Sequence, residues 1–251
     1  MEPKRALVLG ASQGLGAHIA VRLAEDGWSV TGVGRRPRQV TALDGSVEYL
    51  QADLSQAETL VELPKLVAGC PDLIVHSAVT YHDFGVSVPT LDELEQVFRV
   101  NALLPYRLLH QLLSDKPGDR FCSCVVLNSD AIFHARRLSG IYAASKAALR
   151  VLTTMLADTF RADNASVSTL LLGPLADAKK TADLQRIATK RGMSPEELTK
   201  AFLRRSNPDL VIDELIDFES CYLSLRHLVE LGAVANGSLY RLDGGSAGSL
   251  I

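Results

Sequence analysis

The sequence predicts a doubly wound α/β fold, a seven-stranded parallel sheet with helices on both faces. Two observations carry this reading. Short apolar runs alternate with longer helical patterns along the whole chain. The first apolar run passes directly into a glycine-rich turn and then a helix, the opening unit of such a sheet.

The elements follow in order. Arg5-Ala6-Leu7-Val8-Leu9 is a short apolar run and reads as a buried parallel strand. Strand-like runs fall at 6–10, 28–34, 47–51, 72–77, 122–128, 166–172 and 238–242. Helical patterns sit near 14–26, 56–68, 91–115, 141–162 and 212–231. In the first of them Leu15, Ile19, Ala20, Leu23 and Ala24 are the apolar positions. In a parallel sheet of this kind ligands bind at the carboxyl ends of the strands. The loop around Gly14 and residue Ser129 both follow strands, so they share one edge.

Length and composition agree. A chain of 251 residues is long enough for one large domain with a sizeable core. Hydrophobic residues make up 47% and the net charge is only −3, which excludes disorder and broad nucleic-acid binding. No apolar run approaches the ~20 residues that span a membrane. Met1-Glu2-Pro3-Lys4-Arg5 leads straight into the first strand without a signal-peptide pattern, so a cytoplasmic protein is expected. Cys70, Cys122, Cys124 and Cys221 lack disulfide or zinc spacing, and no metal site is expected. Cys122 and Cys124 read as facing one way at the start of a buried strand.

Two stretches carry chemistry. The first is Gly10-Ala11-Ser12-Gln13-Gly14-Leu15-Gly16, between strand and helix. Glycines let the backbone approach a pyrophosphate, and the N–H groups and dipole of the helix start attract its charge. The second is the stretch from Asn128 to Lys146. Tyr142 and Lys146 are four apart and share a helix face. An ammonium near a phenol lowers its pKa and makes it a usable proton donor. Ser129 can give a second hydrogen bond to the same substrate oxygen. In isolation, Tyr and Lys at this spacing also describe an exposed lysine beside a half-buried ring.

The Gly-x3-Gly-x-Gly spacing together with Tyr-x3-Lys resembles the short-chain dehydrogenase/reductase family. Asn101 in Val100-Asn101-Ala102, Asn236-Gly237 and Leu242-Asp243-Gly244-Gly245 match further landmarks in the family's order. The resemblance covers nearly the whole chain and implies a Rossmann-type fold. It implies one catalytic domain over residues 1–251, with a substrate-covering segment at about 175–210. It implies a catalytic tetrad of Asn101, Ser129, Tyr142 and Lys146. Cofactor contacts are implied for Gly10, Ser12, Gln13, Gly14, Leu15, Gly16, Arg35, Arg36, Asp53, Leu54, Ser77, Ala78, Tyr142, Lys146, Gly173 and Leu175.

The second strand ends at Gly34, where NAD-preferring proteins carry an acid, and Arg35-Arg36 follow. An arginine there can pair with a 2′-phosphate, so NADPH is expected over NADH. Two arginines after a strand also simply solvate a loop. Asp53 matches the family acid near the adenine and also suits a helix cap. Two segments depart from the family pattern: His76-Ser77-Ala78-Val79 after the fourth strand, and Leu172-Gly173-Pro174-Leu175-Ala176-Asp177 after the sixth. A carboxylate at Asp177 repels cofactor phosphate unless it turns away.

The expected chemistry is NADPH-dependent reduction of a ketone or β-ketoacyl-type carbonyl to an alcohol. Tyr142 donates the proton, Lys146 lowers its pKa, Ser129 bonds the carbonyl oxygen and Asn101 holds a water that serves Lys146. The alternative is an NADPH-binding sensor on the same fold. Lys179, Lys180, Arg186, Lys190, Arg191, Lys200, Arg204 and Arg205 make the covering segment basic, which suits an anionic substrate or a pair of solvated helices. Leu184, Ile187, Ala188, Leu198, Phe202 and Leu203 give those helices an apolar face. Arg136, Arg137, His82 and His134 could border the pocket. The family resemblance implies a homotetramer or homodimer through the helices bearing Asn101 and Tyr142. Ala143, Ala144, Ala147, Ala148, Val151, Leu152 and Met155 make the second of these apolar.

Overall fold

The computed structural model describes residues 3–67, 69–81, 88–134 and 139–246. Seven parallel strands form one sheet in the order β3-β2-β1-β4-β5-β6-β7. They are β1 (Arg5–Leu9), β2 (Ser29–Gly34), β3 (Glu48–Gln51), β4 (Leu73–His76), β5 (Cys122–Ser129), β6 (Ala165–Leu172) and β7 (Leu239–Leu242). The strand order reverses direction beside β1 and β4, which opens a crevice at their carboxyl ends.

Burial on both faces explains why central strands such as β1 and β4 read as continuous apolar runs. All eight residues of β6 are buried. Alternate side chains feed two cores. Leu7, Leu9, Ile74, Cys124, Val126 and Val167 enter one; Ala6, Val8, Leu73, Val75, Val125 and Leu170 enter the other. Cys122 and Cys124 lie in the same core, facing one way as their spacing implied. All four cysteines are free and buried.

Helices α1 (Gly14–Glu25) and α8 (Phe218–Leu231) cover one face. Ile19, Leu23, Tyr222 and Leu225 are their core contributions. Helices α2 (Ala57–Leu66), α4 (Leu104–Ser114) and α5 (Gly140–Thr159) cover the other. Leu63, Leu109, Leu112 and Leu149 fill the space beneath.

Two helices differ from the sequence expectation. The stretch 91–115 divides into α3 (Leu91–Phe98), a π-helical turn (Arg99–Leu103) and α4. Pro105 has no N–H to offer the carbonyl of Asn101 four residues back, so the ladder widens there. The last helix begins at Phe218 rather than near 212. Ile216 instead bridges Leu175, and Asp217 caps the helix by accepting from Ser220 N at 2.7 Å.

The covering segment forms α6 (Ala178–Arg191) and α7 (Pro195–Ser206). Ser194 and Glu197 make a reciprocal capping box at the start of α7. Leu184, Ala188 and Leu198 bury against one another, with Ile187, Met193 and Leu215 alongside, so most of the expected apolar face is spent between these helices. Among the described residues no helix is long and apolar enough to cross a membrane.

Candidate active site

The glycine loop leaves β1 and enters α1. Gly10 has a positive φ of 89°, and a Cβ on it would stand 2.5 Å from Ala78 N. A Cβ on Gly16 would stand 2.2 Å from the Gly10 carbonyl oxygen. The loop after β1 thus touches both α1 and the loop after β4, backbone against backbone. Gln13 is the N-cap of α1, yet no side chain caps the helix and no acid lies in its first turn. The free N–H groups and positive dipole end there suit a phosphate. Ser12, Gln13, Gly14 and Leu15 surround this start, and Ser77 Oγ lies close by Gly16.

At the end of β2 the space above Gly34 is closed. A Cβ there would meet Ser12 Cβ and the Tyr49 hydroxyl, each at 2.9 Å. The acid of NAD-preferring proteins has no room at this position. Arg35 and Arg36 are exposed, and Tyr49 OH donates to the Arg36 carbonyl at 2.7 Å. Arg38, which the sequence reading passed over, lies over the Tyr49 ring at 5.9 Å and donates to the Asp44 carbonyl. Its Nη1 is buried with no hydrogen-bond partner, so a cation is held there with a donor to spare. The signal in the sequence is its place two residues beyond Arg36.

Asp53 follows β3 and accepts from Ser55 N at 2.9 Å. Burial pushes its pKa up, but the Ser55 bonds and the nearby Arg35 guanidinium win and hold it below the usual carboxylate value. It orders the turn, Leu54 included, that leads to α2, whose cap residue is Gln56. Across the sheet, Gly173 and Leu175 follow β6, and Gly173 packs against the Asp243 backbone. Asp177 is engaged by the start of α6. It caps α6 by accepting from Lys180 N at 2.9 Å, and it pairs with Lys180 Nζ at 3.3 Å.

Asn101, Ser129, Tyr142 and Lys146 come from three elements at this same rim. The widened turn carries Asn101 into full burial. Its Oδ1 accepts from Thr80 N at 2.8 Å, and its Nδ2 donates to Thr80 O at 2.9 Å and Ser145 Oγ at 3.1 Å. Both amide hydrogens are therefore committed, and the side chain serves as a clamp on the loop after β4. A water held by this side chain, as the sequence analysis expected, would have to compete with those bonds. Thr80 and Ser145 are partners of Asn101 that sequence reasoning missed, because contacts across 21 and 44 residues leave no compositional trace.

Ser129 ends β5. Its Oγ accepts from Ala131 N at 3.2 Å and donates to Asp130 Oδ1 at 3.3 Å. Its hydroxyl lies close enough to the Tyr142 phenol to act against the rise of that group's pKa. The Tyr81 ring meets the Tyr142 ring edge-on, with centroids 5.4 Å apart.

The expected electrostatics need correction. Burial pushes the Tyr142 phenol up to about 12; the Ser129 hydroxyl opposes this, while Asp130 and Tyr81 add to it. Lys146 does not depress it. Lys146 is 4% exposed, its ammonium donates to the Leu127 carbonyl at 3.1 Å, and burial lowers its own pKa to about 8. Sharing a helix face at four residues' spacing did not aim the lysine at the phenol. Beside it stands His76, at the end of β4 and 1% exposed. Both its ring nitrogens lack a partner. Burial first, then the Lys146 charge, lowers its pKa to about 3, so the ring is neutral.

Among the described residues nothing groups as a metal site. Lys180, Arg186, Lys200 and Arg204 pair with Asp177, Asp183 and Asp213, which neutralises part of the basic covering segment. His134 borders the site, with Nε2 at 3.2 Å from Ser246 Oγ. Arg136, Arg137 and His82 lie outside the described residues.

A glycine loop at an uncapped helix start, with a phenol and a serine hydroxyl at the same rim of a seven-stranded parallel sheet, is the arrangement of a dehydrogenase-type α/β protein. The family model for short chain dehydrogenases matches residues 4–186, and the chain belongs to that family of oxidoreductases. It is 26% identical to the uncharacterized oxidoreductase YvaG of Bacillus subtilis (strain 168), over 98% of this chain and 96% of that protein. It is 29% identical to L-xylulose reductase of Caenorhabditis elegans, over 80% of this chain and 87% of that protein. The same fold is seen in L-sorbose reductase from Gluconobacter frateurii, solved with NADPH and L-sorbose. That chain is 19% identical, with a TM-score of 0.83, and the match covers all of this chain and 98% of that one.

Proposed function

We propose that this chain is an NADPH-dependent reductase that converts a carbonyl to an alcohol. The observation that carries the reading is the convergence of the Tyr142 phenol and the Ser129 hydroxyl at the rim that also bears the uncapped start of α1. Bound NADPH would supply a hydride to the carbonyl carbon. Gly10, Gly14, Gly16 and the α1 N-terminus would hold its pyrophosphate. Arg35, Arg36 and Arg38 would hold the 2′-phosphate, and the closed space above Gly34 supports NADPH over NADH.

The chain's own residues then have these roles. Tyr142 gives its proton to the carbonyl oxygen as charge develops there. Its high pKa keeps it protonated at physiological pH but makes it a weaker acid, so the transfer relies on the negative charge that develops on the carbonyl oxygen. Ser129 shares that oxygen. Lys146 has its amine buried beside the Leu127 carbonyl, and it serves as a cation held under the site. Asn101 fixes the Thr80 peptide and so the wall that carries Tyr81.

Fluorescence titration with NADPH and NADH tests the cofactor. NADPH oxidation against ketones, aldehydes and β-ketoacyl thioesters tests the reaction. Tyr142→Phe should keep NADPH affinity and lose turnover by about 100-fold or more; unchanged turnover overturns the assignment. A second reading, an NADPH sensor, is favoured by the Lys146–Leu127 bond, which leaves the phenol without a cation partner. Binding without turnover on the whole panel would decide for it. The pairing of the covering segment's charges favours a neutral substrate over an anionic one. We also place the protein in the cytoplasm. We propose that it works as a homodimer or homotetramer through the α4–α5 face, where Leu103, Val151 and Met155 are exposed.

A further inference from the structure

The residue next to Ser129 carries the next step. Asp130 has two acceptor oxygens and a side chain only 15% exposed. Oδ1 accepts from Ser129 Oγ at 3.3 Å, and Oδ2 accepts from Ser246 Oγ at 2.6 Å. Ser246 is itself held by Asn207 Nδ2, at 2.8 Å to both its Oγ and its carbonyl oxygen. The carboxylate is thus fixed from behind by the end of α7 and the segment after β7, with its other oxygen turned to the candidate chemistry.

We propose that Asp130 selects the substrate: it accepts a hydrogen bond from a hydroxyl on the carbon next to the reacting carbonyl, so the site takes α-hydroxyketones, ketoses among them, ahead of plain ketones. This rests on the carbonyl-reductase reading above.

The reason is a contested proton. Ser129 has one hydroxyl hydrogen. A carboxylate is a stronger acceptor than a neutral carbonyl oxygen, so Asp130 draws that hydrogen to itself. A plain ketone placed at Tyr142 then meets a serine lone pair and a nearby negative charge, the same charge that helps raise the phenol's pKa. Both oppose the build-up of charge on its oxygen. An adjacent hydroxyl changes this. Asp130 has room for about four hydrogen bonds. When the substrate hydroxyl donates to Oδ1, the carboxylate is satisfied and Ser129 can turn its hydrogen to the carbonyl oxygen. A substrate without the hydroxyl leaves a buried acceptor competing for the serine, the condition under which polar sites discriminate most strongly.

Among the described residues, the charged and titratable groups around Asp130 are Tyr142 on α5, His134 at 3.8 Å on the turn after β5, and Asp243 after β7. Arg241 is bound to Asp243, at 2.8 Å. Burial first, and then the Asp243 charge, raise the Asp130 pKa, while the Ser246 bond and His134 oppose the rise.

Hydroxyacetone and 2-butanone differ by a hydroxyl in place of a methyl, and NADPH oxidation with each gives the test. In the unaltered protein kcat/KM should favour hydroxyacetone by about tenfold or more. Asp130→Asn should pull the ratio towards one, by raising 2-butanone and lowering hydroxyacetone. In the unaltered protein the ratio should also shrink as pH falls through the Asp130 pKa; this arm stands even if the variant does not fold. Equal use of the two ketones overturns the inference. So does an Asp130→Asn that scales both by one factor, or a ratio whose pH dependence survives in Asp130→Asn, which would point to His134. If neither ketone is reduced but another carbonyl is, the inference falls and the reductase reading stands; if no carbonyl is reduced, both fall.

Discussion

His76 should make the protein acid-sensitive, and His76→Leu should relieve it. The ring is buried, neutral and without a partner on either nitrogen. In the unfolded chain it takes up a proton near 6.5; in the folded chain it does so only at about 3. Between those values the unfolded state binds more protons, so stability falls as pH drops. At about pH 4.5 the unfolded chain gains roughly two pH units of protonation, or about 3 kcal/mol. Leucine is close to histidine in volume and has no polar atoms to satisfy. Removing the unpartnered nitrogens should add about 1–3 kcal/mol at neutral pH. The advantage of His76→Leu should therefore widen by about 3 kcal/mol between about pH 7 and pH 4.5. Urea unfolding of both proteins at the two pH values measures it, since the carboxylates titrate alike in each. Stability–pH curves that run parallel would refute the reasoning.

Asn101→Ala strips the partners from Thr80 N and O and should cost about 2–4 kcal/mol in chemical unfolding. Gly16→Ala drives a methyl into the Gly10 carbonyl, and NADPH affinity measured by fluorescence should fall at least about tenfold. Arg38→Ala should weaken NADPH while leaving NADH nearly unchanged, by about 1–3 kcal/mol in the same titration. Light scattering should give a mass well above the 27.1 kDa of one chain, and Val151→Glu should lower it.

The strands were legible because parallel sheets bury both faces. An all-apolar run such as the one at 6–9 then has few other places to go. The break at Arg99–Leu103 was not legible, since apolar spacing continues through it; the missing donor of Pro105 was the clue. The overlong reading of the last helix has a similar cause. Ile212, Leu215 and Ile216 carry a helical spacing, yet Ile216 is used in a bridge to Leu175. Of the candidate site, the residue types and their shared rim could be read. Direction could not. Spacing put Tyr142 and Lys146 on one face, but the strand carbonyl at Leu127 claims the ammonium. Asp130 sat in plain view beside Ser129, and only its contacts with Ser129 and Ser246 revealed it.

The contact of Gly10 with the Ala78 backbone has a mechanical meaning. The two loops lean on each other with no side chain between them to yield. Thr80, two residues past Ala78, is bolted to the widened turn on the far side. Any tightening of the first loop is therefore transmitted through rigid peptide units to the wall behind the tyrosine pair, without need of a hinged cover.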